Sequence, residues 1–342
     1  MRHRRLCAML WVLLCFLTVL PLRASAEAYE ERDMLAAFVE YMNQKAEAIG
    51  MGGSKFYDPI GMNNFTTARD FLKLMAWAEQ YDALAPVWGE EAHTVTVTGA
   101  DPRQQQVVST IRGNEHLEPY YEILGCKDGE LPAYEVRNLA VLLQLPDSED
   151  KLAVVVLCAY GQSSQITGSR AVVRKVADLA LEKYRNPEAD VSGEKIYCQS
   201  AIACLIPEDG EETRILYEKD ADRQIMTASI AKVMTAVCLL DVQRELEDTF
   251  VYSGFDTNIG GFYIQDFRPG DEMTFRDGLY ALLLPSSNVT ARALARTAGG
   301  RILEEGAPDP AVIPRWEPET MIEGSVAAMV VGACTAFSLE TA

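Results

Sequence analysis

The sequence is short of positive charge and of histidine. Its 342 residues include 31 Lys and Arg against 50 Asp and Glu, a formal net charge of -19, and only three His. Because affinity for nucleic acid depends on clustered Lys and Arg, this balance excludes nucleic-acid binding. Only His93 and His116 follow residue 26, so a His-rich metal site has no candidates and a Ser-His-Asp hydrolase has few.

Long apolar runs are also scarce. Residues 6–22 are apolar, follow a basic start and precede the small residues Ala24-Ser25-Ala26. This order predicts a cleaved secretory signal over residues 1–26, and the alternative is an uncleaved membrane anchor. The apolar stretch 325–339 near the C-terminus is too short to indicate a membrane span. An acidic exported protein suits a wall or extracellular setting better than an anionic membrane surface.

Paired cysteine motifs are absent. Six cysteines remain after the predicted signal, and none forms a C-x-x-C pair or stands at metal-ligand spacing from a His. We interpret them as mostly buried small apolar residues, with one or two disulfide bridges left open. They are Cys126, Cys158, Cys198, Cys204, Cys238 and Cys334.

The chain does contain clear strand and helix patterns. Residues 138–145 and 151–160 are continuous apolar runs that predict central strands, joined by a tight turn at Pro146-Asp147. Residues 186–195 have the Pro, Gly and Asp content of a linker. Further strands are predicted at 93–99, 196–206 and 214–220, and further helices at 33–49, 67–77, 169–184, 229–240, 275–284 and 289–297.

Serine chemistry with a lysine is what the composition leaves. Residues 227–235 read TASIAKVMT, which places Ser229 and Lys232 in an S-x-x-K motif at the start of a predicted helix. One helical turn brings both side chains to the same side, so a desolvated Lys amine can take the Ser proton. The helix N-terminus also favours a developing oxyanion. Alone, the motif fits equally well a capped amphipathic helix with an exposed Lys.

A second motif follows at residues 282–289, LLLPSSNV, where Ser286 and Asn288 form S-x-N between two predicted helices. A hydroxyl and an amide on a turn can relay a proton and hold a substrate amide. The alternative is an ordinary turn or helix cap at Ser287 or Asn288.

Longer stretches around these motifs resemble one family, the exported serine D-alanyl-D-alanine carboxypeptidases, which are low-molecular-mass penicillin-binding proteins. The family's first half is similar to SAIACLIPEDGEETRILYEKDADRQIMTASIAKVMTA and LLLPSSNVTARALA. Its second half is similar to FVEYMNQKAEAIGMGGSKFYDPIGM, FTTARDFLKLMAWA and YYEILGCKDG. The resemblance implies an α/β (α+β) fold of the β-lactamase/transpeptidase-like type, an antiparallel sheet flanked by helices with a helical subdomain.

The two halves stand in reversed order relative to the family. We interpret this as a circular permutation, with the linker joining the family's old ends, since new ends are tolerated where exposed connections open. The rival interpretation is a rearranged product whose halves need a partner chain. The permuted arrangement comprises a signal at 1–26, the second half at 33–187, the first half at 188–303 and a tail of unknown role at 304–342.

The third motif of the family, Lys-Thr-Gly on an edge strand, is here Lys127-Asp128-Gly129. In the family, the Lys and Thr hold the carboxylate end of the substrate. Asp128 would repel that carboxylate, at a like-charge cost of up to several kcal/mol in a semi-dry cleft. Lys127 could instead pair with Asp128, which would weaken both roles. Taken alone, the triplet reads as a surface turn.

By the resemblance, the chain is a serine-type D-alanyl-D-alanine carboxypeptidase of the bacterial cell envelope or extracellular space, active in peptidoglycan biosynthesis and cell shape. It would act on stem peptides and bind β-lactam antibiotics covalently, without cofactor or metal. The alternative is a catalytically impaired homologue that binds or scaffolds the cell wall. The resemblance implies that Ser229 is the nucleophile, Lys232 the base and Ser286 the proton relay. Asn288 would bind the peptide amide, and Lys127 with Asp128 and Gly129 would bind the C-terminal end of the substrate. The backbone N–H groups of Ser229 and Glu130 would bind the oxyanion.

Overall fold

A computed structural model of the protein describes residues 29–111, 117–160, 167–208, 212–259 and 267–313. The chain divides into residues 1–30 and a second unit that begins at Glu31 and contains every helix and strand described below. The predicted signal, His116, Cys334 and the apolar stretch 325–339 lie outside the described residues. Within the described ranges, no helix has the length and apolar character needed to cross a membrane.

An antiparallel five-stranded sheet forms the centre of the fold. Its order is β4-β5-β6-β7-β8, so β4 and β8 are the edges. The two apolar runs become the inner strands β5 and β6, which confirms that prediction, and Asp147 in the turn between them adopts a φ of 62°. The strands are β4 (Glu122–Leu131), β5 (Val136–Gln144), β6 (Lys151–Ala159), β7 (Cys198–Ile206) and β8 (Arg214–Lys219).

Helices cover both faces of this sheet, which explains why its inner strands are apolar at most positions. Alternate residues face opposite sides: Val154 packs towards one helix, whereas Val155 packs towards the main helical cluster. The single helix is α4 (Thr167–Arg185). The cluster contains α1 (Glu31–Ala48), α2 (Ala68–Ala78), α3 (Ala85–Trp88), α5 (Lys232–Val242), α6 (Gly254–Thr257), α7 (Phe275–Leu283) and α8 (Asn288–Glu305). The expected antiparallel sheet flanked by helices is confirmed.

Two smaller sheets complete the described part of the chain. One has the order β10-β11-β2-β3 and the other pairs β1 with β9. Short 3-10 turns cover Pro132–Tyr134 and Ala228–Ala231. The strands are β1 (Phe65–Thr66), β2 (Ala92–Gly99), β3 (Arg103–Val108), β9 (Ile225–Met226), β10 (Thr249–Val251) and β11 (Asp271–Thr274).

Several sequence-based predictions need adjustment. Helix α8 is longer than predicted and continues to Glu305, because its apolar face packs along α1 as far as Ile302. The close contact requires Gly299, where an added Cβ would lie 1.7 Å from the carbonyl oxygen of Met34. The five described cysteines are buried, and no disulfide forms among them.

A buried ion pair joins α1 to α5. The Nζ of Lys45 lies 2.9 Å from Oδ2 of Asp241, and both side chains are almost completely buried. Tyr41 and Tyr81 donate hydrogen bonds of 2.9 and 2.7 Å to the same carboxylate, and Lys45 also donates to the carbonyl of Pro310. The charge on Asp241 is therefore compensated by a full set of donors, without which its burial would be strongly unfavourable.

Removing Lys45 tests how strongly the free energy of unfolding depends on this ion pair. We expect Lys45→Met to lower the free energy of unfolding by about 3–5 kcal/mol, because it leaves a buried carboxylate without its cation. The matched control is Lys175→Met, which breaks an exposed pair with Glu194 and should cost less than about 1 kcal/mol. Urea unfolding of both variants measures the difference, and equal losses would contradict the assignment.

Candidate active site

The S-x-x-K motif lies where β9 leads into α5. Ser229 occupies the 3-10 turn Ala228–Ala231, and Lys232 is the first residue of α5. The Nζ of Lys232 lies 2.8 Å from the Oγ of Ser229. The two side chains therefore meet as the spacing predicts, although the turn between them is 3-10 rather than α-helical. Ala228, just before the serine, has a φ of 48°, a conformation that is strained for a residue with a Cβ.

Lys232 is completely buried. Its Nζ donates to Oδ1 of Asn288 at 2.7 Å and to the carbonyl of Ile60 at 3.3 Å. Burial and then the charge of Lys127 hold the pKa of Lys232 well below that of a free lysine, against the opposing charges of Asp128 and Asp58. A lowered pKa makes the neutral amine, which can accept a proton, available at lower pH.

The S-x-N motif fills the turn between α7 and α8. Ser287 caps α8 by accepting a hydrogen bond from the N–H of Thr290, so the ordinary capping role belongs to Ser287. Asn288 reaches Lys232 instead. Ser286 has a φ of 65° and is buried, and its Oγ has no hydrogen-bond partner among the described residues. A strained turn and an unpartnered buried hydroxyl are features that active sites often show.

The third motif lies on β4, the edge strand of the central sheet. Lys127 is completely buried and its Nζ lies 2.7 Å from Oδ1 of Asp128, which is the pairing that the sequence raised as an alternative. Thr110 donates a second hydrogen bond, of 2.8 Å, to the same oxygen. Burial favours the protonated acid, but the charge of Lys127 outweighs it and holds the pKa of Asp128 below its usual value. The lowered pKa favours the ionised carboxylate of Asp128, whose negative charge opposes the positive charge of Lys127.

Gly129 allows β4 to approach the Ser229 turn. A Cβ at this position would lie 2.8 Å from the carbonyl oxygen of Thr227 and 2.9 Å from the N of Ser229. Both neighbours are backbone atoms, which cannot move aside as a flexible side chain does. The third motif therefore lies directly against residues 226–231, which we call the nucleophile turn after the role that the resemblance implies for Ser229, although Gly129 and Ser229 are 100 residues apart in the sequence.

Two residues of this region have no signal in the sequence. Asn138 of β5 is buried and donates to the carbonyls of Met226 and Thr227, both at 2.8 Å, while its Oδ1 accepts from the N–H of Cys158. It holds the nucleophile turn against the sheet. Arg170 of α4 donates to the carbonyl of Thr110, close to the third motif. Only the folded chain brings these residues to the site.

Charged groups of both signs lie around the third motif. Burial lowers the pKa of Arg170, opposed by the charges of Asp128 and Glu130. Burial, followed by the charge of Asp128, raises the pKa of Glu130. Lys127, Arg137 and Arg170 therefore already interact with Asp128 or Glu130 before any substrate enters.

Comparison with known proteins places part of the chain. The model of the D-alanyl-D-alanine carboxypeptidase family, peptidase family S11, matches residues 188–303. A D-alanyl-D-alanine endopeptidase of Escherichia coli is 43% identical over 47 residues, 13% of this chain and 15% of that protein. One of Pseudomonas aeruginosa is 41% identical over 51 residues, 14% of this chain and 16% of that protein. The chain thus matches 15–16% of the length of these curated relatives. No solved structure matches it significantly.

A methyl group at residue 129 tests the contact between β4 and the nucleophile turn. We expect Gly129→Ala to reduce covalent labelling of Ser229 by a fluorescent penicillin by about 100-fold, because displacement of the strand by a fraction of an ångström misplaces the site. Gly193→Ala is the matched control, since a Cβ there meets no atom within 4 Å. Retained labelling in Gly129→Ala, with unchanged melting temperature, would show that the approach is not needed.

Proposed function

We propose that this chain, which matches the model of the D-alanyl-D-alanine carboxypeptidase family over residues 188–303, is an exported serine-type enzyme that removes the terminal D-Ala from peptidoglycan stem peptides. The observation that carries the proposal is the position of the buried Lys232 amine, 2.8 Å from Ser229 Oγ and 2.7 Å from Asn288 Oδ1. A nucleophile beside a desolvated base is the arrangement that acyl transfer requires.

In the proposed reaction, Ser229 attacks the carbonyl between the two D-alanines and Lys232 takes the hydroxyl proton. The backbone N–H groups of Ser229 and Glu130 stabilise the oxyanion. Ser286, whose hydroxyl is unpartnered, relays the proton to the leaving amine. Water then hydrolyses the acyl-serine, with Asn288 holding the peptide amide. The contacts of Lys232 with Ser229 and Asn288 favour an enzyme over a purely scaffolding wall protein.

The proposal treats residues 33–187 and 188–303 as one domain with its halves in permuted order. Strand β6 from the first of these segments pairs directly with β7 from the second. The new chain ends of the proposed permutation are also close together: Oε1 of Glu31, at the start of α1, lies 3.5 Å from Nε of Arg296 in α8. The ends that a permutation would open are thus neighbours, and the contacts between segments give each half a partner within the same chain.

Cell-envelope location is part of the same proposal. Its support is the predicted signal at residues 1–26 and the match to a family described by its action on D-alanyl-D-alanine. Peptidoglycan stem peptides are then the substrates, and β-lactam antibiotics are covalent inhibitors.

A second candidate is cleavage of an internal bond, as in an endopeptidase. Two observations favour it. Both relatives described above carry that name. In addition, Lys127 is paired with Asp128, so the third motif has no free cation for a terminal carboxylate. A substrate that continues beyond the cleaved bond would not place a carboxylate there.

Labelling with a fluorescent penicillin tests the nucleophile. The intact protein should form an adduct that survives denaturation, and Ser229→Ala should abolish it, because no acyl-serine can form. Ser192→Ala, in the exposed linker, should label as the wild type does. Absence of any adduct in folded wild-type protein would reject the proposed enzyme.

Removing the charge of Asp128 separates the two candidates. Asp128→Asn keeps the side-chain shape and frees Lys127, so we expect the rate constant kcat/KM for a peptide ending in D-Ala-D-Ala to rise about tenfold, as one added favourable charge contact would give. For a peptide in which the same bond is internal, kcat/KM should change by less than about twofold. Wild-type preference for the internal bond would favour the endopeptidase, whereas preference for the free terminus would favour the carboxypeptidase.

A further inference from the structure

A short loop over residues 57–64 lies beside the S-x-x-K motif and is organised by one carboxylate. The loop is closed at its base by the bridge between Lys55 and Phe65. Within it, both carboxylate oxygens of Asp58 accept backbone hydrogen bonds, three on Oδ1 at 2.6–3.1 Å and one on Oδ2 at 3.1 Å. The four donors are the N–H groups of Ile60, Gly61, Met62 and Asn63.

The organised loop contacts both the nucleophile turn and helix α5. The carbonyl of Pro59 accepts a 2.8 Å hydrogen bond from Thr235 of α5. Gly61, with a φ of 97°, approaches so closely that a Cβ would lie 1.8 Å from the carbonyl oxygen of Ala228. The loop thereby brings the carbonyl of Ile60 to 3.3 Å from Lys232 Nζ.

From this geometry we infer that Asp58 is a positioning residue for the base: it fixes the Ile60 carbonyl, which together with Asn288 directs the lone pair of Lys232 at Ser229. The inference rests on the proposed function. A neutral amine has two N–H donors and one lone pair. Ile60 and Asn288 supply acceptors for the two donors. The lone pair is then left for the hydroxyl proton of Ser229, 2.8 Å away.

The charge of Asp58 acts on the same amine. The charged groups that face Lys232 are Lys127 and Asp128 from β4 and Asp58 from the loop. Arg292 of α8 in turn faces Asp58. Lys127 favours the neutral amine and the two acids favour the protonated one. Removing the charge of Asp58 while keeping its shape should therefore ease deprotonation of Lys232.

Two substitutions of Asp58 separate charge from positioning. In Asp58→Asn, the amide oxygen can still accept three of the four N–H groups, so we expect the acid limb of the penicillin acylation rate to move about half a pH unit lower, an approximately threefold faster reaction on that limb. In Asp58→Ala, the loop loses its acceptors and releases Ile60, so acylation on the pH plateau should fall about tenfold or more.

The control variant is Asn64→Ala. Asn64 also holds the loop, through hydrogen bonds with the backbone of Tyr57 and Asp58, but it carries no charge. It should lower the melting temperature and leave the acid limb in place. If Asp58→Ala acylates at the wild-type plateau rate, Asp58 does not position the base and the inference is overturned.

A direct titration keeps this result separate from the proposed function. Protein labelled with ¹³C at the lysine Cε allows the Lys232 signal, assigned by its loss in Lys232→Arg, to be followed against pH. Both variants remove the charge of Asp58, but only Asp58→Ala also releases the Ile60 carbonyl, which accepts a hydrogen bond from the Lys232 amine. A lower midpoint in Asp58→Ala than in Asp58→Asn therefore supports the inference even if no penicillin adduct forms, in which case only the proposed function fails. Equal midpoints in the two variants overturn the inference.

Discussion

The site depends on the burial of one lysine amine. Lys232 is removed from water completely, which is unfavourable for a charged group and tolerable for a neutral one with hydrogen-bond partners. Its partners come from three separate elements: Ser229 from the 3-10 turn, Asn288 from the start of α8 and Ile60 from the loop over residues 57–64. The contacts with Lys232 form only if these three elements are held in fixed positions, and the packing around them holds them there.

The central sheet provides the rigid side of the site. Its inner strands are covered by helices on both faces, so the edge strand β4 is fixed by a well-packed neighbour. Gly129 lets that edge touch the nucleophile turn, and Asn138 on the next strand holds the same turn through two carbonyls. The contacts join segments from both sides of the linker over residues 186–195. A permuted order of the halves is compatible with such a site because the contacts depend on position in the fold.

Local patterns predicted much of this arrangement. The apolar runs predicted the inner strands, and the spacing of Ser229 and Lys232 predicted their contact, because one turn of helix fixes both side chains. Adjacent residues also allowed the pairing of Lys127 with Asp128 to be foreseen. Asn138, Arg170 and Asp58 were not predicted. Asn138 and Arg170 bind backbone groups far away in the sequence. Asp58 accepts from its own loop, but the lysine that this loop reaches lies 172 residues beyond Ile60. An isolated Asn, Arg or Asp carries no signal for a partner that only the fold supplies.

Because of Asp128, the third motif links the charge of a bound substrate to the pKa of Lys232. Lys127 lowers the pKa of Lys232, and Asp128 opposes that effect. Because Asp128 is ionised and lies 2.7 Å from Lys127, the pair presents little net field either to the amine or to an incoming carboxylate. A terminal carboxylate bound beside Lys127 would add a further negative charge to this corner and raise the proton affinity of Lys232. An uncharged substrate segment would leave the base unchanged. Asp128, the residue that departs from the family pattern, thus favours the protonated form of the Lys232 amine, and a charged substrate terminus would favour that form further.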